Sequence, residues 1–318
     1  MEPHNLTRVS EFYLLELSDD LDLQPILFGL FLSMYLVTLL GNLLIILAII
    51  SDAHLHIPMY FFLSNLSFAD IFLISTTVPK LIVGISTHSR VISYVGCLTQ
   101  MSLFILFGCM DDMLLTVMAY DRFVAVCCPL RYSVIADPCV CVLLILMALF
   151  VNLLVSRLHN IIVLEFKYFR KVEIANFSCD PSQLLRLSCS DIFTDNTVMC
   201  FVFVISGFLP VTGIFFSYYK IVSSILRIPA SDGKYKAFST CGSHLSVVCL
   251  YYGTGFGVYL GSALLHSPRN SAVASLMYTV VTPMLNPFIY ALRNRDITRA
   301  LRRLHSRTGP ISLPVETT

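Results

Sequence analysis

The chain has 318 residues, 56 % of them hydrophobic and 13 % charged, with a mean hydropathy of +0.78 and a formal net charge of +1. That apolar share is far above the range of soluble domains and excludes a water-exposed globule, so lipid is the expected solvent. The balanced charge gives no electrostatic case for nucleic acid as a partner.

A helix needs about 20 mostly apolar residues to cross hydrocarbon. Seven stretches qualify in chain order, approximately Pro25 to Ile50, Pro58 to Lys80, Gly96 to Tyr120, Val140 to Leu158, Asn196 to Leu226, Phe238 to Leu264 and Ala272 to Leu292. The expected fold is an all-α membrane protein, a bundle of seven transmembrane helices over 25–292 between an arm, 1–24, and a tail, 293–318. An odd number of spans puts the termini on opposite sides. Lys and Arg near span ends resist translocation, and Arg293, Arg295, Arg299, Arg302, Arg303 and Arg307 crowd the tail while the arm holds only Arg8. The C-terminus is therefore read as cytoplasmic and the N-terminus as extracellular. Lys167, Arg170 and Lys171 fit less well, but they sit in a long loop, which weighs little in this rule. Residues 1–24 lack a basic segment followed by an apolar one, so the first span is expected to act as its own signal anchor. The basic tail is expected to lie against anionic lipid or a cytoplasmic partner.

Topology sorts the glycosylation sequons at Asn5, Asn65 and Asn176. Asn65 lies within a span, Asn176 stands close to Cys179, and Asn5 in the outer arm is the expected acceptor. Of eleven cysteines, only Cys97, Cys179 and Cys189 face the oxidising side, which allows one bridge and leaves one thiol over.

Six blocks in order carry a resemblance that covers nearly the whole chain. They are Gly41-Asn42; Pro58-Met59-Tyr60 through Asp70; Met118-Ala119-Tyr120-Asp121-Arg122-Phe123 through Tyr132; Ser217-Tyr218; Lys236 through Ser246; and Pro283 through Tyr290, continuing as Leu292-Arg293-Asn294-Arg295-Asp296. Together they resemble the odorant (olfactory) receptors among the rhodopsin-type seven-helix receptors. Three positions depart from the family's usual pattern: Phe123 replaces a tyrosine, Cys128 a histidine and Phe169 a further loop cysteine. The resemblance implies a plasma-membrane receptor that binds a small-molecule odorant. It further implies activation of a heterotrimeric G protein of the stimulatory class, which raises cyclic AMP. Cys97 is expected to bridge to the second extracellular loop, with Cys179 as first partner and Cys189 as the alternative.

On the third span, steps of 100° per residue place Cys97, Phe104, Gly108, Asp111, Leu115 and Arg122 on one stripe. Phe104 and Arg122 lie roughly 27 Å apart along that axis, so a ligand at the top cannot touch the arginine and a signal must travel as helix rearrangement. An arginine at a membrane boundary is costly without a partner, and Asp121 can hold Arg122 at rest. The resemblance implies that activation frees Arg122 towards the G protein, with Tyr218 and Tyr290 moving inward.

Asn42, Asp70, Asp111 and Asn286 are polar groups inside spans that must find partners. Two close carboxylates cannot both ionise cheaply, so one is protonated, a cation such as sodium lies between them, or the group is a structural hydrogen-bond network. Asp112 points about 100° away from Asp111, towards another helix. No other cofactor and no metal is expected.

The ligand chamber is placed among Phe104, Ile105, Gly108 and Cys109 on span three, Val202, Phe203 and Ser206 on span five, and Tyr252, Gly255 and Tyr259 on span six. An apolar lining with few polar tips suits a small, neutral, lipophilic molecule. The alternative function is an ion-coupled transporter, motivated by the intramembrane aspartates, but repeated halves and interrupted helix pairs are not evident. No catalytic constellation accompanies His54, His56 or His244, so an enzyme is not expected.

Overall fold

The structure is a computed structural model that describes residues 10–15, 20, 22–165, 172–174, 176–179, 184, 204–227, 241–242, 244–256 and 268–308. In chain order these form strand β1 (Glu11–Leu14), helix α1 (Gln24–Ser51), helix α2 (Pro58–Thr87), strand β2 (Val91–Ser93), helix α3 (Tyr94–Cys127) and helix α4 (Pro138–Glu165). There follow strand β3 (Glu173–Ile174), helix α5 (Leu209–Arg227, entered through a π turn at Val204–Phe208) and helix α6, described over 244–256. Helix α7 consists of Pro268–Leu276 and Thr282–Arg293 joined by a π stretch, Met277–Val281, and helix α8 is Arg295–Thr308.

Six of the described helices, α1 to α5 and α7, are long and apolar enough to cross a membrane. With α6 between α5 and α7, the architecture is the seven-helix bundle expected from the hydropathy. Boundaries follow local chemistry. Pro58 opens α2 after an extended Ile57, and His88 ends it with a left-handed φ of 51°. Ser93 caps α3 by accepting a bond from the Gly96 N–H at 3.1 Å.

Water does not drive burial inside a bilayer, and apolar side chains accordingly point outward as well as inward. Leu40, Leu44 and Leu47 of α1 and Leu143, Leu146, Phe150 and Leu154 of α4 are exposed, which is the lipid-facing pattern. The inner core joins Leu66, Leu114, Leu115, Met118, Ile221 and Val247 across α2, α3, α5 and α6. At Gly41, an added Cβ would stand 3.1 Å from the Pro287 ring, so α1 and the proline of α7 approach closely because position 41 lacks a side chain.

Two features differ from the sequence expectation. The arm is not free throughout: β1 pairs antiparallel with β2 and parallel with β3, forming a small three-stranded roof of order β2-β1-β3. The tail is not simply a basic extension, because Asn294 Oδ1 accepts from the Asp296 and Ile297 N–H groups and starts α8. Helix α8 turns Ile297 and Ala300 inward, both buried, and leaves Arg299, Arg302 and Arg303 exposed.

Candidate functional site

At the inner end of α3, Arg122 directs both Nε, at 3.1 Å, and an Nη, at 2.5 Å, to the same oxygen of Asp121, Oδ2. The other oxygen, Oδ1, accepts from the Tyr132 hydroxyl at 2.9 Å. Tyr132 begins the helical turn Tyr132–Ile135 and is a residue that hydropathy and spacing did not single out for this site. The Asp121 carboxylate is thus engaged on both oxygens and the guanidinium is held. Arg122 also lines a small inner cavity with Met59, Leu63, Met118, His244, Tyr290 and Asn294. Tyr290 is buried there and its hydroxyl has no hydrogen-bond partner among the described residues. Tyr218 is bonded to His244 Nδ1 at 2.6 Å and stacks on its ring, so the two side chains pair between α5 and α6.

Between the two ends lies the polar core. Asn286 Nδ2 donates to both oxygens of Asp70, at 3.1 and 3.0 Å, tying α7 to α2. Asn42 Nδ2 donates to the Thr38 carbonyl at 3.1 Å and the Pro283 carbonyl at 3.3 Å, tying α1 to α7. Asp111 lies within Coulombic reach of Asp70 and Asp112. Three buried oxygens, Asn42 Oδ1, Asp111 Oδ1 and Asn286 Oδ1, have no hydrogen-bond partner among the described residues. Unsatisfied oxygens of this kind are the donor type that suits a hard cation such as sodium or a shared proton.

Above this core, three of the chamber residues converge on Tyr278 of α7. The Phe104 ring meets it edge-on at 6.0 Å, a Cβ at Gly108 would lie 3.2 Å from its hydroxyl, and one at Gly255 would lie 3.8 Å from its ring. Tyr251 donates to the Gly108 carbonyl at 2.7 Å and therefore accepts from Tyr278 across their 2.9 Å contact. Beside it the Tyr252 hydroxyl donates to Asp112 Oδ1, so Asp112 faces α6. Cys109 is hydrogen-bonded to Ser206, joining α3 to α5. Ile105 instead belongs to the buried cluster under the roof, with Cys97, Met101, Val155 and Cys179. Val202, Phe203 and Tyr259 lie outside the described residues, as do Asn5, Phe169 and Cys189. Of Tyr251, Tyr252 and Tyr278 only Tyr252 was legible in the sequence; Tyr251 and Tyr278 carry no signal there, because depth along a span does not reveal which neighbouring helix a side chain meets.

Cys97 and Cys179 are bridged, fixing the second extracellular loop to the outer end of α3. The Cys179 N–H donates to Gln100 Oε1 at 3.0 Å and secures the same connection. The neighbouring sequon is closed: Asn176 is 2 % exposed and its Nδ2 donates to Ser275 of α7 at 3.2 Å. Phe123, at a departure from the usual pattern, packs against the rings of Tyr120 and Phe216, and Cys128 caps the end of α3.

A bundle of membrane helices with a bridged loop over its outer side and an acid-arginine ion pair at its inner end is the architecture of a multi-pass receptor of the plasma membrane. A family model described as "Olfactory receptor" matches residues 31–307. The mouse protein named olfactory receptor 7E178 is 69 % identical over 308 residues, covering 97 % of this chain and 93 % of its own. Human olfactory receptor 7E24 is 70 % identical over 306 residues, with 96 % and 90 % covered. Human olfactory receptor 7D4 is 58 % identical over 307 residues, with 96 % and 98 % covered. The chain belongs to the olfactory receptor family, and it is a receptor and not an enzyme.

Proposed function

We propose that this receptor binds a small, neutral, lipophilic odorant between α3, α5, α6 and α7 and activates a stimulatory heterotrimeric G protein, raising cyclic AMP. The observation that carries the reading is the aromatic floor in which Tyr278 is bonded to Tyr251 and Tyr252 to Asp112, with the Tyr251 and Tyr252 rings in edge contact, and which Phe104, Gly108 and Gly255 approach. A molecule that displaces the Tyr278 ring disturbs bonds to α3 and α6 at once. Helix α6 also carries His244, the partner of Tyr218, so a shift of α6 reaches the inner cavity that Arg122 lines. Release of Arg122 from Asp121 then offers a guanidinium to the G protein.

The test is an odorant panel on cells carrying a cyclic AMP reporter, after surface expression is established. A neutral apolar agonist is expected, and Arg122→Ala should silence the response at matched surface density. An intact response in that variant would overturn the assignment.

A second reading is favoured by the three unsatisfied oxygens: a sodium ion held by Asp70 and Asp111 with the side-chain oxygens of Asn42 and Asn286. Its role is to neutralise two carboxylates that share a low-dielectric site. Sodium should raise the melting temperature of the wild-type receptor and not that of Asp111→Asn. A wild-type melting temperature indifferent to sodium would favour the shared proton.

A further inference from the structure

The chamber floor holds a buried oxygen without a partner. Asp112 is 3 % exposed; its Oδ1 accepts from the Tyr252 hydroxyl, and its Oδ2 has no hydrogen-bond partner among the described residues. A stranded buried oxygen costs stability, and a ligand that donates to it recovers that loss on binding. Its neighbours along α3 place it beside the chamber. One turn above stand Gly108, which leaves room for the Tyr278 hydroxyl, and Cys109, bonded to Ser206 of α5. One turn below, Thr116 donates its hydroxyl to the Asp112 carbonyl at 3.0 Å and leaves the carboxyl alone. Two π turns carry the residues that face this level: Val204–Phe208 holds Ser206 and Met277–Val281 holds Tyr278. Such turns inside membrane helices frequently mark functional sites.

We propose that the odorant of this receptor is an alcohol or phenol whose hydroxyl bonds Asp112 Oδ2. This rests on the chamber assigned above and names the polar group that its lipophilic ligand carries. The donor inventory selects that group. A hydroxyl both donates and accepts, so it meets Oδ2 with or without a proton on the carboxyl, whereas an ether or ketone only accepts and is met by the protonated form alone. An ammonium brings a charge and three donors, which the surrounding Phe104, Gly108 and Gly255 do not match. A site with a buried polar group awaiting its partner rejects the analogue that lacks it more sharply than an apolar pocket rejects a missing methylene. The other oxygen of the same carboxyl ties α3 to α6 through Tyr252, so the group that selects the ligand is also the group that joins the two helices.

The test uses cells displaying the full-length receptor, with cyclic AMP as readout and a panel of linear, monocyclic, bicyclic and aromatic skeletons. Each skeleton is presented as its alcohol or phenol, its methyl ether, its ketone or aldehyde, and its amine. For every activating skeleton the hydroxyl compound should be at least about tenfold more potent than the methyl ether. Asp112→Asn puts amide donors at the floor and should narrow that ratio to about twofold by admitting the ether. Should Asp112→Asn fail to reach the surface, the ratio on the wild type decides alone. An ether or ketone as potent as the alcohol, an amine more potent than it, or an unchanged ratio in Asp112→Asn would overturn the proposal while leaving the odorant reading in place. A wild-type receptor silent to the whole panel at full surface density would overturn that reading and this inference with it.

Discussion

At the residue scale, the chemistry turns on which buried oxygens are matched. Asp112 is buried and its Oδ1 accepts from Tyr252, while Oδ2 has no hydrogen-bond partner among the described residues. Removing one member of such a pair strands the other, whereas replacing both with apolar groups is much less harmful. Tyr252→Phe should therefore lower stability by about 1–3 kcal/mol, and Asp112→Leu combined with Tyr252→Phe should recover part of that loss, as read by thermal unfolding of the purified receptor. The sequons offer an independent check. Asn176 is sealed against Ser275, so Asn5→Gln should abolish the mobility shift produced by glycosidase and Asn176→Gln should leave it. The 100° step from Asp111 made the direction of Asp112 legible in the sequence. Its tyrosine partner was not, because helical spacing within one span says nothing about which neighbour it meets.

At the element scale, α8 is docked and not trailing. Tyr60 of α2 donates to Asn294 Oδ1 at 3.2 Å, and Arg303 donates to Asp52 Oδ2 at 2.9 Å, reaching the turn after α1. The His54 backbone N–H, helped by the Arg303 guanidinium, holds the Asp52 carboxyl below its ordinary value of 3.8. A depressed carboxylate stabilises the fold above the unfolded value and loses that contribution as pH falls through the folded one. A nitroxide on α8 should accordingly keep its mobility from pH 7 to 5 and gain mobility only below about 3.8, whereas Asp52→Asn should gain it already at pH 7. Mobility rising near pH 6 would assign the docking to another group. Helix α8 had a sequence signal: Asn294 as a cap, then Ile297, Ala300, Leu301 and Leu304 at helical spacing. Summing the arginines into a basic tail concealed it. The roof had little signal, since strands of two to four residues show too few alternations to read.

At the scale of the whole molecule, the spans were legible because bilayer thickness fixes their length, and the pairing of Arg122 with Asp121 because an arginine at a membrane boundary is costly without a partner. The linkage between chamber and latch was not legible, since it depends on azimuths in four helices that meet only in the fold. The proposed route runs from Tyr278 to Tyr251 on α6, then along α6 to His244, which bonds Tyr218 and lines the cavity beside Arg122. The account stands on Asp121 restraining that arginine. Asp121→Asn removes a charge-assisted bond worth about 1.5–3 kcal/mol, enough to shift a two-state latch by tenfold or more. The most direct measurement is basal cyclic AMP in cells displaying wild-type and Asp121→Asn receptor at equal surface density without odorant. The account predicts a basal signal raised towards the odorant-stimulated level, and a basal signal equal to that of the wild type would contradict it.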